Sequence, residues 1–140
     1  MIHLVVSVIS YDIWFYISHV LLHKYLYKFH KIHHYLVSEE LRWPDTYVAH
    51  WMEGPFQGVG MFFPYLLCKY TWLDTFAILA FLNIRGMMKH DGRFIWIVGN
   101  HHLLHHKHQG YNYGNYWIDA LFGTQYPRLK AYRCGIFGRG

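Results

Sequence analysis

Residues 19–34 read "HVLLHKYLYKFHKIHH" and carry five histidines where an apolar run gives way to lysine. If the stretch is helical, each residue advances about 100° around the axis. With His19 at the origin, His23, His30, His33 and His34 fall within an arc of about 100°, and His3 lies on the opposite face. Residues three and four apart are the ones whose side chains meet on a helix, so this spacing describes a ligand-bearing face. An unbroken helix would hold His19 and His34 about 22 Å apart at about 1.5 Å per residue. One compact site therefore requires a bend between the two groups, or metals spread along the helix.

Upstream, residues 2–22 form an apolar run of bilayer-crossing length, flawed by Asp12. The 140-residue composition agrees with a lipid setting: 54% of residues are hydrophobic and 15% charged, against about 25% charged in an ordinary soluble domain. A net charge of +5 suits a wet surface facing anionic headgroups. No basic start or small-residue cleavage site marks a signal peptide. Cys68 and Cys134 are too few for a disulfide framework and lack metal-ligand spacing. The basic residues form no continuous stripe, which argues against nucleic acid as a partner. No linker or repeat divides the chain, so residues 1–140 read as a single domain.

Residues 23–43 read as an interfacial continuation of the first helix. Residues 43–55 are broken by Pro44, Gly54 and Pro55 into a loop or short surface helix. Residues 55–68 and 71–88 are two further apolar segments, a hairpin dipping into or just across the bilayer. "FIWIVGNHHLLHHKH" (94–108) reads as a helix, "QGYNYGNYW" as a loop, and a short amphipathic Arg/Lys tail follows. The expected class is an all-α membrane protein with few transmembrane or re-entrant helices and a histidine-lined helical cap. Lys24, Lys28, Lys31, Arg42, Arg85, Lys89, Arg93 and Lys107 flank the histidine-bearing ends, and Lys69 marks the other side. The positive-inside rule then puts the histidines on the cytosolic face.

The second cluster repeats the logic of the first. His102, His105 and His106 share an arc of about 100°, with His101 and His108 at its margins. His90 stands before an Asp91–Gly92 turn. Nine candidates result: His19, His23, His30, His33, His34, His90, His102, His105 and His106. A structural zinc takes four ligands and a catalytic one three, so this set saturates two metals. Imidazole suits zinc, copper, iron and nickel alike. A two-metal site at a membrane edge suits oxidation of a lipid by dioxygen, which calls for iron. No H-E-x-x-H occurs, so a zinc-protease reading lacks its general base. No catalytic side chain beyond the ligands stands out. A pH-dependent surface helix would explain the first cluster but not the second, and a haem cytochrome would leave most of the histidines unused. His3 reads as a packing residue, and His50 stays open between packing and ligation.

"HVLLH" (19–23), "HKIHH" (30–34) and "HLLHH" (102–106) resemble the three histidine boxes of the fatty acid hydroxylase / sterol desaturase superfamily. "AHWMEGP", "KHDGRF", "NHHLLHHKH" and "YNYGNYWIDALFGT" are similar to its C-5 sterol desaturase branch, and the resemblance spans residues 12–127. It implies a helical membrane enzyme, in the endoplasmic reticulum if eukaryotic, with two irons on the cytosolic side held by the nine histidines, His101 next in line. It also implies dioxygen as co-substrate and electrons from an NAD(P)H-linked reductase through a haem carrier. The substrate would be a sterol or long-chain lipid, hydroxylated or desaturated at an unactivated C–H bond. Asn112, Gly114 and Asp119 would shape the loop behind the ligands. Members usually carry further membrane helices before the first box, and some hydroxylases carry a histidine where this chain has Gly86. An inactive or fragmentary metal-binding relative is the alternative those departures imply.

Overall fold

The computed structural model describes residues 2–36 and 38–139. Its regular structure is helical, with no strand among the described residues beyond an isolated Gly135–Gly138 bridge. Helix α1 (Ile2–Tyr25) is the one helix among them long and apolar enough to cross a membrane. Its faces are arranged the reverse of a soluble helix. Ile2, Val5, Val6, Ile9, Ile13 and Ile17 are exposed, while Ser7, Asp12, Ser18 and His19 are buried. The inward polar groups are all engaged: Ser10 donates to the Gly60 carbonyl (2.6 Å), Trp14 Nε1 to the Phe56 carbonyl (2.7 Å), and Asp12 pairs with Arg85 through both carboxylate oxygens. Outward apolar and inward, satisfied polar residues are what a lipid solvent selects.

α1 ends at Tyr25 rather than continuing to residue 43. Leu26 breaks it (φ −123°, ψ 23°), the single turn α2 (Tyr27–His30) follows, and turns occupy 31–36. No proline or glycine causes this break. The chain leaves the helix where His30 and His34 fold back onto His19 and His23, so tertiary packing overrides propensity. The bend that a compact site requires is therefore present, and the continuous helix is not.

Residues 43–55 hold a 3₁₀ turn (Trp43–Tyr47) and the start of α3 (Glu53–Gly58). The apolar segment over 55–68 forms α3 followed by a 3₁₀ stretch, Val59–Leu66, containing Pro64. Proline lacks the N–H that an α-helix needs there. This stretch packs along α1, and a Cβ on Gly60 would collide with Trp14. α4 (Trp72–Lys89) starts on a capping box, the Thr71 hydroxyl accepting from Asp74 N (3.2 Å) while Asp74 accepts from Thr71 N (3.0 Å). A small core of Met61, Ile78 and Leu82 joins α1, the 3₁₀ stretch and α4.

The single helix expected over 94–108 is two, α5 (Ile95–Val98) and α6 (His101–Lys107). Gly99 separates them at φ 74°, a backbone that favours glycine. The space beside it is filled by the carbonyl of Arg139, because the chain's last described residues fold over α5: Ile136 and Phe137 donate to the Trp96 and Ile97 carbonyls. α7 (Tyr116–Phe122) begins within the expected loop, and a 3₁₀ turn (Leu129–Ala131) lies in the basic tail.

Candidate metal centre

Four segments converge on one point: the end of α1, the turns after α2, the end of α4, and α6. They gather the nine histidines in two adjoining groups: His19, His23, His30, His34 and His105 in one, His33, His90, His102 and His106 in the other. Each residue offers one ring nitrogen, and within a group these nitrogens lie within 4.8 Å of one another. The groups abut, with His34 and His106 ring centres 4.6 Å apart.

The ring orientations are fixed from behind. His19 Nδ1 donates to the Tyr113 carbonyl (2.5 Å), His105 Nδ1 to Tyr111 (2.6 Å), His33 Nδ1 to Val48 (3.1 Å) and His90 Nδ1 to Gly86 (2.9 Å). His30 Nδ1 donates to Glu53 Oε2 at 2.6 Å. A carbonyl or carboxylate only accepts, so each of these Nδ1 atoms carries the proton and, in a neutral ring, Nε2 carries a lone pair. Yet His19 and His30 Nε2 lie 2.9 Å apart, and His33 and His90 Nε2 lie 3.0 Å apart. Neither pair has a hydrogen to share. At the His33–His90 pair protonation does not supply one, because burial and then neighbouring imidazoles hold His33 at about 4 and His90 at about 3. The same causes push His34, His102, His105 and His106 well below the ordinary histidine value.

Two facing lone pairs repel unless a cation lies between them. Imidazole nitrogens about 2.1 Å from one metal stand about 3.0 Å apart at right angles and about 3.4 Å apart at tetrahedral angles. The Nε2 contacts of the first group run from 2.9 to 3.2 Å. His34 Nδ1 and both ring nitrogens of His106 are buried without a protein partner. The donor set therefore fits metal ions, and five nitrogens exceed what a four-coordinate zinc takes.

The other histidines lie outside these groups. His101 turns its Nε2 to Asp119 (3.0 Å), which is why it joins neither group. His50 stacks on Phe29, His3 meets Asp74, and His108 stacks on Tyr126. Asp119 is fully buried and accepts also from Tyr113 N, Gly114 N and the Thr124 hydroxyl. It thus ties down the loop whose carbonyls orient His19 and His105. Asn112, in the left-handed region at φ 61°, is buried and bonded to the His101 carbonyl, Tyr126 N and the Tyr132 hydroxyl. Asparagine is among the few side chains that tolerate that backbone. A Cβ on Gly114 would press on the Tyr16 ring at 3.1 Å.

Glu53 was not legible as a site residue. It is 3% exposed, and the bond from His30 together with His50 N outweighs the cost of burial, so its carboxyl lies below the usual value. Its one sequence signal is a carboxylate beside His50 in "AHWMEGP", and the contact to His30 depends on the bend after α1.

A cavity of about 520 Å³ opens against the histidines. Tyr11, Phe15, Met61, Phe62, Leu79 and Leu82 supply apolar walls, and His19, His33, His90 and His102 face it from the metal groups. Residues 4–124 match the family described as Fatty acid hydroxylase. No curated protein and no solved structure gives a match.

Proposed function

Because the chain belongs to the fatty acid hydroxylase family, we propose that it is a membrane-bound, non-haem di-iron oxidase that uses dioxygen to hydroxylate or desaturate a long-chain lipid or sterol. The observation that carries this is the facing of bare imidazole nitrogens at 2.9 and 3.0 Å in two separate groups. A cation between the rings of each such pair would relieve the repulsion, and two groups would take two.

Bound iron would supply the oxidation of an unactivated C–H bond by dioxygen. The protein's own residues do the rest. The nine histidines hold the metals, and the carbonyls of Val48, Gly86, Tyr111 and Tyr113, with Glu53, keep the Nε2 atoms of His33, His90, His105, His19 and His30 free of their protons. Such partners behind a ligand raise its basicity and lock its ring. The group of four faces the cavity through His33, His90 and His102. With Gly86 where a further histidine could stand, this group offers four nitrogens and no side chain from position 86 on the cavity side, where a substrate would lie. The apolar walls exclude water and align the chain to be oxidised. Electrons would come from an NAD(P)H-linked reductase through a haem carrier docking on the cytosolic face, in the endoplasmic reticulum if the source is eukaryotic.

Metal analysis of the detergent-purified full chain tests the reading. The expectation is two irons per chain, both lost when His33 and His105 are replaced by alanine together. No iron, or unchanged iron in that variant, overturns it. Lipid profiling of an expressing host then separates hydroxylation from desaturation. Iron without any new lipid product favours a metal-holding protein without turnover, the reading that the Gly86 position raises.

A further inference from the structure

The cavity wall is largely apolar, with Thr46, Tyr47, Gln57 and Asn83 among its uncharged polar residues and Asp12, Arg85 and Lys89 as its carboxylate and basic side chains. Leu79, Leu82, Arg85, Gly86, Lys89 and His90 line it from one face of α4. Leu79 and His90 are separated by about 16 Å along that helix at about 1.5 Å per residue. Arg85 lies about midway between them, and Lys89 is the immediate neighbour of His90.

The two cations are partnered differently. The Arg85 guanidinium is held by both oxygens of Asp12 and lies over the Tyr11 and Phe81 rings, each centre 5.8 Å away, so its charge is balanced within the wall. The Lys89 ammonium has three hydrogens to donate. Among the described residues its one hydrogen-bond partner is the neutral side-chain oxygen of Asn115, which also lines the cavity. The wall thus carries one carboxylate, Asp12, and two basic side chains, Arg85 and Lys89, so that Lys89 has no acidic counterpart of its own among the lining residues. A charge kept from water without an opposite charge is costly. The spare donors and the spare charge both point to an oxyanion.

We propose that Lys89 anchors an oxyanion at one end of an otherwise apolar ligand, and so determines which end of that ligand lies against His33, His90 and His102. This deepens the oxidase reading and rests on it for the identification of the cavity as the substrate site. The apolar body runs along α4 toward Leu79, Met61 and Phe62. The bond presented to the metals is one close to the anionic group, not one at the far end of the chain. A carboxylate and a phosphate monoester share the required chemistry.

Equilibrium binding to the purified full chain in uncharged nanodiscs, with empty nanodiscs subtracted, tests this without turnover. The probes are radiolabelled hexadecanoate, hexadecyl phosphate and methyl hexadecanoate. At least one anion is expected to bind tenfold or more tightly than the neutral ester, and the preferred anion names the headgroup. Lys89→Met is expected to abolish that preference while the ester binds as before, and Lys89→Arg to retain it. If Lys89 serves only to hold Asn115 or to complement the end of α4, Lys89→Met weakens all three ligands together or none, and the proposal fails. Equal binding of ester and anions by the wild type overturns it without any variant. Iron content of the same preparations keeps the two readings apart. Anion preference without iron retains the anchor and rejects the oxidase, whereas iron without anion preference does the reverse.

Discussion

Replacing Glu53 by glutamine changes one oxygen to an amide and leaves the volume of the side chain nearly unaltered. Glu53 Oε2 accepts from His30 Nδ1 at 2.6 Å, and Oε1 lies 3.4 Å from His50 N. The amide must set its NH₂ against one of these two donors. Facing His30, it drives the ring proton to Nε2, the atom that lies 2.9 Å from His19 and 3.0 Å from His34. A protonated Nε2 cannot bind a metal. Facing His50, it opposes a backbone N–H and pulls the side chain away from His30. Loss of such a partner typically lowers metal affinity about 10–100-fold, equivalent to about 1.4–2.7 kcal/mol. Stability of the metal-stripped protein moves little or rises, because an amide is cheaper to bury than a carboxylate. Chelator competition gives the affinity, and melting of loaded and stripped protein separates the two effects. The reasoning is refuted if affinity stays within about twofold of wild type, well short of that range, or if the stripped variant loses as much stability as the loaded one.

Three other outcomes follow from the same geometry. His33 and His90 sit at about 4 and about 3 in the folded protein, against about 6.5 unfolded. Below pH 6.5 the unfolded chain binds more protons, so each group removes about 1.4 kcal/mol of stability per pH unit down to its folded value. Melting of metal-stripped protein between pH 7.5 and 4.5 checks this, and stability that is flat or increases on acidification contradicts it. Asp12→Asn leaves the Arg85 guanidinium without its carboxylate and should cost on the order of 3 kcal/mol, while Asp12→Leu with Arg85→Met restores most of it. A double variant as unstable as the single one argues against the pair. Gly60→Ala forces a methyl into Trp14 and should cost about 1–3 kcal/mol. Gly58→Ala, which meets nothing within 4 Å, should change stability by less than about 0.5 kcal/mol, and equal losses at both positions would reject the close approach of α1.

What the sequence reveals of this site depends on distance along the chain. Three- and four-residue spacings are local, so the boxes at 19–23, 30–34 and 102–106 could be read from helical geometry alone. The projection of His19 to His34 onto one straight helix was wrong in its middle, because α1 stops at Tyr25 for a tertiary reason that leaves no glycine or proline behind. Gly99 did carry a local signal for the break between α5 and α6, though the apolar residues before it suggested a longer helix. The segment at 55–68 was legible as apolar, but its 3₁₀ geometry over Val59–Leu66 depends on Pro64, and its packing on the close approach of Gly60 to Trp14. Glu53 stayed hidden because its partner, His30, is 23 residues away and reaches it only after the chain has turned back. Asp119 was visible as a loop residue, and its four donors explain how that loop holds its carbonyls in place.

The break after Tyr25 also sets an order of assembly. Because it folds His30 and His34 back onto His19 and His23, four nitrogens of one group come together from a short stretch of chain. The fifth, His105, lies 71 positions beyond His34, and the other group has only His33 until His90, His102 and His106 arrive. During synthesis a half-made chain can offer a metal one loose pocket and no second one. Full coordination arises only once α6 has docked, and closing that long loop costs only slightly more than closing a short one. Were the two groups to hold metals as proposed, a chain interrupted before residue 106 would lack one nitrogen of the second group and could not complete it.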